Sequence, residues 1–286
     1  MYVEINDSRI YFTATSCRPY EHDRITLVGL HGGPGIDGDQ LRYFLGPSAE
    51  WADVVVPDQR GHGRSDRSSA DFWTLAQWSM DVEQFILKLG LTNVVLVGTS
   101  FGGFVTLDYL SRFPGTVLGG AIVGSSARRA DGAEIVERYG VVGGTEAANV
   151  MQRLLNYPSA DAEAEWGRVC APLSRLRAPD GVLTRIIDSQ LHTPEVNAHF
   201  MSTFSDLDLR ENLRQVREPL LVLVGDADPL TPPSVAAEVE SYSGGDVFFH
   251  EVPGSSHQLI WDNPDAFQSM LRSFVARLAP GKHEVI

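Results

Sequence analysis

A five-residue segment at positions 98–102, with the sequence Gly-Thr-Ser-Phe-Gly, constrains the fold of this chain most strongly. The apolar run from Val94 to Val97 precedes it, and a stretch with helical character follows it. A strand and a helix joined by so few residues must turn sharply, and a glycine on each side lets the two backbones pass close together. The pattern predicts a buried strand, a strained turn that presents Ser100, and a helix.

Short apolar runs alternate with helical patterns along the chain, which favours a mostly parallel sheet covered by helices. The clearest helix covers 75–89, where apolar residues recur at three- and four-residue spacing between a cap at Thr74 and a stop at Gly90. Further helices are expected at about 101–112 and 264–278. Strands are expected at 2–5, 9–15, 25–30, 53–57, 94–97, 118–123, 220–224 and 247–249.

The strand signal is missing from residues 127–212, where helical patches and prolines occur instead. With 286 residues, the chain is long enough to bury a large core without disulfides. The simplest account is an α/β core made of residues 1–126 and 213–286. A mostly helical cap at 127–212 interrupts this core and is expected to lie over the active site.

Composition and charge argue against several functions. The formal net charge of −14 opposes binding to nucleic acid, whose phosphates it would repel. No apolar run is long enough to cross a membrane, and residues 1–7 lack the basic start and apolar stretch of a signal peptide. Cys17 and Cys170 form no motif and are expected to be small packing residues in a reducing compartment. We therefore expect a cytoplasmic protein that binds neither nucleic acid nor membranes.

Serine alone is a weak nucleophile at neutral pH, so Ser100 needs a base that is itself oriented by a carboxylate. Asp226 and Asp228 directly follow the strand at 220–224, at the sheet edge where active-site groups collect. We favour Asp228, because the Pro-Pro pair at 232–233 can begin a helix and fix the intervening turn. Asp226 is the alternative, as a residue that forms a turn with its own backbone.

His257 is the candidate base, because it follows the last predicted strand by a short loop and reaches the same edge. His250, at the end of that strand, is its nearest rival. The pair His192 and His199 lacks a third ligand at metal-binding spacing, so we predict a structural role for it and neither a metal nor a cofactor. The remaining histidines are expected to be surface or packing residues: His22, His31, His62 and His283.

Acyl transfer at a serine also needs backbone donors for the developing oxyanion. The amide of Phe101, directly after the serine, is expected to supply one of them. Gly33, in the segment 31–35 with the sequence His-Gly-Gly-Pro-Gly, is expected to supply the other, because glycine leaves the backbone N–H uncovered. A simple Gly/Pro turn is the alternative interpretation of that segment.

Three ordered segments carry a resemblance to a known family. They are 31–35, then 58–65 with the sequence Asp-Gln-Arg-Gly-His-Gly-Arg-Ser, and 98–103 with the sequence Gly-Thr-Ser-Phe-Gly-Gly. The chain resembles the α/β-hydrolase superfamily and, more narrowly, its proline iminopeptidase-like branch. The resemblance spans both halves of the core but not the cap. It implies that Asp58 and Arg60 tie core loops together through ion pairs and hydrogen bonds.

The chain departs from the proline iminopeptidase pattern at two places. Phe101 stands where the family usually has Trp, and only Trp166 remains of a Trp-x-x-Trp-Glu segment in the cap, with Cys170 at the place of its glutamate. That glutamate helps the family's enzymes hold the substrate's amino group. Glu163 and Glu165 lie nearby and are candidates to replace it, together with Trp166. A solvated helix face is the alternative interpretation of these carboxylates.

The resemblance implies a catalytic triad of Ser100, His257 and Asp228. It also implies an oxyanion hole at the amides of Gly33 and Phe101. We therefore interpret the chain as a cofactor-free serine hydrolase, which cleaves small amide or ester substrates, including short peptides, through an acyl-enzyme. The alternatives are a carboxylesterase or lactonase on small apolar acyl groups, a carbon–carbon bond hydrolase, and a ligand receptor with slow turnover.

Overall fold

The computed structural model describes residues 1–15 and 24–278, so Cys17, His22 and His283 lie outside the described part. Eight strands of the described residues form one sheet. In chain order they are β1 (Tyr2–Ile5), β2 (Ser8–Ala14), β3 (Thr26–Leu30), β4 (Asp53–Pro57), β5 (Val94–Thr99), β6 (Gly119–Val123), β7 (Leu220–Gly225) and β8 (Val247–Val252).

The strands follow the order β1-β2-β4-β3-β5-β6-β7-β8 across the sheet. The strands from β4 to β8 in this order pair in parallel, whereas β1 and β2 form an antiparallel hairpin beside β4. Strands β3, β4, β6 and β7 are buried along their whole length, as expected where helices cover both faces. The predicted fold class, a mostly parallel α/β sheet, is confirmed.

The helices lie between these strands and after the last of them. They are α1 (Asp39–Leu45), α2 (Leu75–Leu89), α3 (Phe101–Arg112), α4 (Gly132–Asn156), α5 (Ala160–Val169), α6 (Gly181–Asp188), α7 (Pro194–Thr203), α8 (Arg210–Leu213), α9 (Pro233–Ala236), α10 (Glu238–Tyr242), α11 (Leu259–Asp262) and α12 (Pro264–Leu278). Short 3₁₀ turns occur at Gly46–Glu50, Ala70–Phe72, Ala171–Ser174 and Phe204–Asp206. None of these helices has the combined length and apolar character that a bilayer-spanning segment requires.

Local signals set the ends of α2. The Thr74 hydroxyl accepts a hydrogen bond from the Gln77 amide at 3.2 Å, and Gly90 ends the helix at a left-handed φ of 61°. The buried face of the helix, which includes Trp78 and Phe85, belongs to the main apolar core. The predicted bounds of α2, and those of α12, are confirmed.

The turn between β1 and β2 is one residue shorter than the gap between the predicted strands 2–5 and 9–15. Asn6 and Asp7 both adopt positive φ angles, 43° and 61°, which asparagine and aspartate tolerate better than other side chains do. Ser8 therefore pairs with Ile5 and already belongs to β2.

The apolar core lies on both faces of the sheet. Successive side chains of a strand point to opposite faces, and β5 uses both directions. Leu96 belongs to the cluster that contains Phe85 of α2, whereas Val95 belongs to the cluster that contains Phe267 of α12. The central strand is therefore covered by helices from two sides.

The segment between β6 and β7 contains helices α4 to α8 and contributes no strand to the sheet. It contributes most of a small apolar cluster, which includes the buried residues Tyr139 and Cys170 and is completed by Val235 of α9. Burial raises the pKa of the Cys170 thiol to about 11, which suits a packing residue rather than a reactive one. We propose that residues 127–212 form a cap between the two parts of an α/β core, 1–126 and 213–286.

Arg60 and Asp81 form a buried, two-pronged ion pair that ties the loop after β4 to α2. The Arg60 Nε and Nη2 atoms donate to the Asp81 carboxylate at 2.6 and 2.7 Å. Nη2 also donates to the Asn6 carbonyl oxygen at 2.9 Å, which adds the β1–β2 turn to the same junction. These contacts agree with the structural role that the family resemblance implies for Arg60.

Asp58, the first residue after β4, organises the same loop. Its Oδ1 accepts from the Gly38 amide at 2.9 Å and its Oδ2 from the Arg64 amide at 2.8 Å, and the guanidinium groups of Arg42 and Arg64 also contact it. Burial alone would raise the pKa of Asp58, but the charge of Arg42 and these hydrogen bonds outweigh burial and hold the pKa below its ordinary value. Asp58 is therefore a buried anion that fastens the segment at the start of α1 to the loop after β4.

Replacing Arg60 with Met should lower the free energy of unfolding by about 3–5 kcal/mol, because it leaves the Asp81 carboxylate buried without its cation. Urea denaturation measures the change. Arg214→Met is the matched control, since Arg214 pairs with Glu211 at the surface, where the two side chains are 59% and 75% exposed. The control should cost no more than about 1 kcal/mol. Equal losses in the two variants would contradict the structural role of Arg60.

Candidate active site

Ser100 lies in the turn between β5 and α3, with φ 49° and ψ −115°. A residue with a side chain rarely adopts this backbone conformation, so the surrounding structure must hold the turn under strain. The Ser100 amide donates to the Val123 carbonyl oxygen at 2.8 Å, and the Ser100 carbonyl oxygen accepts from the Gly103 amide at 2.9 Å. The chain thus has the strand, strained turn and helix that the sequence predicts.

Two close backbone contacts explain the glycines on either side of Ser100. A Cβ atom at Gly98 would lie 2.2 Å from the Gly102 carbonyl oxygen. A Cβ atom at Gly102 would lie 2.0 Å from the Leu30 carbonyl oxygen. Both positions therefore exclude any side chain, because β3, β5 and α3 meet backbone to backbone beside the serine.

The structure brings three of the predicted side chains into one hydrogen-bonded chain. The Nε2 atom of His257 lies 3.0 Å from Ser100 Oγ, and its Nδ1 atom lies 3.0 Å from Asp228 Oδ2. Asp228 is fully buried, and the His257 side chain is 9% exposed. This geometry suits transfer of the serine proton to an imidazole that a carboxylate orients.

The loop after β7 determines which candidate acid contacts the histidine. Asp228 Oδ1 accepts from the amides of Leu230 and Thr231 at 2.9 and 2.8 Å, which fixes the direction of its carboxylate. Asp226 Oδ1 instead accepts from the Ser255 amide at 3.2 Å. Asp226 therefore supports the neighbouring loop rather than a turn of its own, and the contact with the histidine belongs to Asp228.

The protonation of His257 depends on two opposing effects. Burial would lower the pKa of His257, but the charge of Asp228 and its hydrogen bond outweigh burial and raise the pKa above its ordinary value. The imidazole must be neutral to accept a proton from Ser100. A base of this kind works at pH values above its pKa and fails as the pH drops through it.

His31, the first residue of the segment 31–35, and His62 are both buried. The Nε2 atom of His31 accepts from the Gln59 amide at 3.0 Å, so its proton is on Nδ1, which faces the Gly32 carbonyl oxygen at 2.8 Å. Burial lowers the pKa of His31, and burial together with the nearby His31 lowers the pKa of His62 to about 3. Both rings are uncharged packing residues that hold loop backbone.

The other described histidines lie apart from Ser100. His250 is exposed on β8. His192 pairs with Ile36 through an isolated β-bridge, and the His199 ring contacts the edge of Trp73 at a centroid distance of 5.7 Å. Within residues 1–15 and 24–278, no three His, Cys, Asp or Glu side chains form a group that could hold a metal ion.

Gly33 and Phe101 carry the two amides expected to bind an oxyanion. Gly33 has a φ of 113°, which favours glycine, and it lines the cavity at Ser100. Phe101 is the first residue of α3, where amides have no partner inside the helix. In the described part of the chain neither amide donates to a backbone carbonyl. Both N–H groups are therefore available to a bound ligand.

A cavity of about 280 Å³ opens at Ser100, and we call it the Ser100 cavity. Its lining is mostly apolar or uncharged. Apart from the glycines and histidines already described and Ser100 itself, it consists of Ile36, Asp37, Gln40, Leu41, Thr99, Val123, Leu230, Gln258 and Ile260. Asp37 is the one carboxylate among these residues, and it already accepts from the amides of Asp39 and Leu191 at 3.1 and 2.8 Å.

The structure does not bring Trp166, Glu163 and Glu165 to the Ser100 cavity. All three lie on α5, and none of them lines the cavity. The apolar side of α5 faces α4, so Trp166 packs at the edge of the cap's own cluster, Glu163 is exposed, and Glu165 pairs with Arg153 of α4. The interpretation as a solvated helix face fits these carboxylates better than the expected role in substrate binding.

A parallel sheet with a strained serine turn after a central strand, facing a histidine and an aspartate, defines the arrangement of an α/β hydrolase. The family model described as the alpha/beta hydrolase fold matches residues 25–264. The chain therefore belongs to the α/β-hydrolase family, and the predicted family is confirmed.

The chain is similar to members of this family that have different activities, so the similarity does not determine its substrate. A proline iminopeptidase from Thermoplasma volcanium is 23% identical, over 96% of this chain and 96% of that protein. A non-heme chloroperoxidase from Streptomyces lividans is 26% identical, over 88% and 92% of the two chains. The crystal structure of a proline iminopeptidase from Mycobacterium smegmatis superimposes with a TM-score of 0.80 at 20% identity, over 98% of each chain. The predicted likeness to proline iminopeptidases is confirmed.

The pH dependence of hydrolysis tests the pairing of His257 with Asp228. The kcat/KM for an aryl ester should fall at low pH with an apparent pKa above the ordinary histidine value of 6.5, because Asp228 raises the pKa of His257. In Asp228→Asn the acid limb of the residual activity should move to lower pH, since burial then acts alone. A limb that stays in place in the variant would contradict the pairing.

Proposed function

We propose that this protein is a serine hydrolase, similar to proline iminopeptidases, that cleaves small esters or amides through an acyl-enzyme. The observation that carries the proposal is the hydrogen-bonded chain from Ser100 through His257 to Asp228, with 3.0 Å at each step. The strained turn and the two available amides beside it support the same function, because acyl transfer needs an exposed nucleophile and oxyanion donors.

In the first half of the proposed reaction, Ser100 Oγ attacks the substrate carbonyl carbon and its proton passes to His257 Nε2. The Asp228 carboxylate stabilises the imidazolium that forms. The amides of Gly33 and Phe101 donate to the negatively charged oxygen of the tetrahedral intermediate. These donors are backbone groups in fixed positions, so little reorganisation accompanies the development of charge.

In the second half, the imidazolium of His257 gives its proton to the leaving group as the carbon–heteroatom bond breaks. Water then attacks the acyl-enzyme, and His257 accepts the proton of that water. The second tetrahedral intermediate collapses with return of the proton to Ser100 Oγ and release of the carboxylic acid. Every proton donor, proton acceptor and nucleophile in this reaction belongs to the protein, the substrate or water.

The lining of the Ser100 cavity favours an uncharged acyl group. The amino group of an N-terminal proline is a cation at neutral pH and needs a carboxylate when it is buried. Asp37 is occupied by two backbone amides, and Glu163 and Glu165 lie outside the cavity. We therefore favour esters or lactones of small uncharged acids. An iminopeptidase is the second candidate, favoured by the match with a proline iminopeptidase over 96% of both chains.

Replacing each of the two aspartates after β7 with asparagine, one at a time, distinguishes their roles. Asp228→Asn should lower kcat on the order of 10³–10⁴-fold, because the amide cannot stabilise the imidazolium and favours the wrong tautomer. Asp226→Asn should cost less than about 10-fold, since its Oδ1 can still accept from the Ser255 amide. Steady-state kinetics on one aryl ester measures both. A larger loss in the Asp226 variant would reverse the assignment.

The substrate class is tested by kcat/KM on a proline arylamide and on a matched short-chain aryl ester. We expect the ester to be preferred by at least ~10-fold, because the cavity offers no available counter-ion to the proline amine. Ser100→Ala, which keeps the fold, should abolish the cleavage of both.

Three results would revise the proposal. Strong amide cleavage that disappears when the proline nitrogen is acetylated would establish an iminopeptidase instead. Full turnover in Ser100→Ala would remove the serine mechanism. A wild-type chain that hydrolyses neither substrate and leaves Ser100 unlabelled by a fluorophosphonate would contradict hydrolase activity altogether.

A further inference from the structure

Arg138, in the cap helix α4, reaches across to the loop that carries Asp228. Its Nε donates to the Asp228 carbonyl oxygen at 2.9 Å, and its Nη2 donates to the Asp226 carbonyl oxygen. Both donors belong to one planar guanidinium group, so they hold the two carbonyl groups in a fixed relation. A single side chain of the cap thus forms hydrogen bonds with two backbone carbonyl groups of this loop.

The remaining backbone bonds of the loop come from the core side. The Asp228 amide donates to the Gly225 carbonyl oxygen at 3.1 Å, and the Ala227 amide donates to the Ser255 carbonyl oxygen at 2.9 Å. Among the described residues, Arg138 is the one donor to the carbonyl oxygens of Asp226 and Asp228. On the side that faces the cap, the backbone of this loop is therefore held in place by Arg138.

Arg138 does not act as an ion-pair partner, since it forms no salt bridge with any carboxylate of the described chain. Arg153, which follows the break in α4 at Gly144, instead pairs with Glu165 at the surface. Two charge-assisted bonds to carbonyl groups fix direction as well as distance. Arg138 binds the carbonyl oxygen of Asp228, and the carboxylate of Asp228 contacts His257. A shift of the Asp228 backbone therefore moves this carboxylate.

We propose that Arg138 is a positioning residue, which keeps Asp228 aligned with His257 from the cap side. The inference rests on the proposed serine hydrolase function. A displacement of about 1 Å in a group that orients the base costs up to ~100-fold in rate without weakening substrate binding. Arg138 therefore acts on the chemical step although it lies outside the lining of the Ser100 cavity.

The experiment compares Arg138→Met, Arg138→Lys and the wild-type chain. The Met variant removes both donors and keeps an unbranched side chain, whereas the Lys variant keeps the charge but loses the two-pronged geometry. Arg153→Met makes the same change in the part of α4 that follows the break at Gly144, and it is the matched control. For each protein we would measure kcat and KM on an aryl ester, the rate of Ser100 labelling by a fluorophosphonate, and Tm.

We expect Arg138→Met to lower kcat by ~10–100-fold with KM changed less than about 2-fold. Labelling of Ser100 should slow in proportion, because the same base activates the serine. Arg138→Lys should lose less, about 3–10-fold in kcat, since one donor can still reach a carbonyl. Arg153→Met should match the wild-type chain in kcat, KM and labelling rate.

A purely structural contact predicts another pattern. A lower Tm with wild-type kcat in Arg138→Met, or a higher KM with wild-type kcat, would overturn the proposal. If Arg138→Met does not fold, a folded Arg138→Lys with wild-type kcat would overturn it, and a reduced kcat at unchanged KM would support it. An inert and unlabelled wild-type chain would instead overturn the proposed hydrolase function, and this inference with it.

Discussion

The close packing of three backbone segments beside Ser100 is the constraint on which the rest of the site depends. A Cβ atom at Gly102 would lie 2.0 Å from the Leu30 carbonyl oxygen, so α3 can begin directly behind β5 only because that position is glycine. The short connection forces Ser100 to a φ of 49° and leaves it at the edge of the sheet. The same contact brings the segment after β3 alongside the turn, with a Cβ at Gly32 only 3.5 Å from the Ser100 Cβ. One packing contact therefore places both the proposed nucleophile and the segment that carries Gly33.

Buried carboxylates in this protein hold loops together through backbone N–H groups, and they include Asp37, which also lines the Ser100 cavity. Asp37 accepts from the Leu191 amide at 2.8 Å, and the fully buried Asp262 accepts from the amides of Leu176, Arg177 and Ser256 at 2.7, 2.9 and 2.8 Å. These hydrogen bonds, and for Asp37 also the Arg64 guanidinium at 3.9 Å, offset the cost of burying the two carboxylates. The net charge of −14 therefore describes the surface and the loop junctions and says little about the Ser100 cavity.

The sequence predicts what short-range physics determines. The helical period and the Thr74 cap give α2, and the glycines around Ser100 give the strained turn, because each signal acts within a few residues. The seven-residue helix α1 escapes prediction, since it is too short to show a period. Contacts of the cap cannot be predicted for another reason, because they join residues that are far apart in the sequence. The hydrogen bond from the Leu191 amide to Asp37, for example, spans 154 positions. The position of α5 and the hydrogen bonds of Arg138 to the loop after β7 are long-range contacts of this kind, and no local sequence pattern predicts them.

The cap is bonded to three of the four loops that surround the proposed nucleophile. The Thr193 amide donates to the Gly35 carbonyl oxygen at 2.8 Å, and the Gln258 amide donates to the Ser174 carbonyl oxygen at 2.8 Å. Arg138 grips the third loop. The serine turn itself is bonded to β6 within the core. Hydrogen bonds thus connect the cap to the segments that carry Gly33, Asp228 and His257. The serine turn meets the cap through ring packing instead, because Phe101 contacts Phe200 of α7 at a centroid distance of 5.0 Å. A substitution in the cap can reach catalysis by two routes, through the shape of the cavity and through the alignment of these loops. Kinetics separates the two, because a change of uniform binding moves KM, whereas misalignment in the transition state moves kcat.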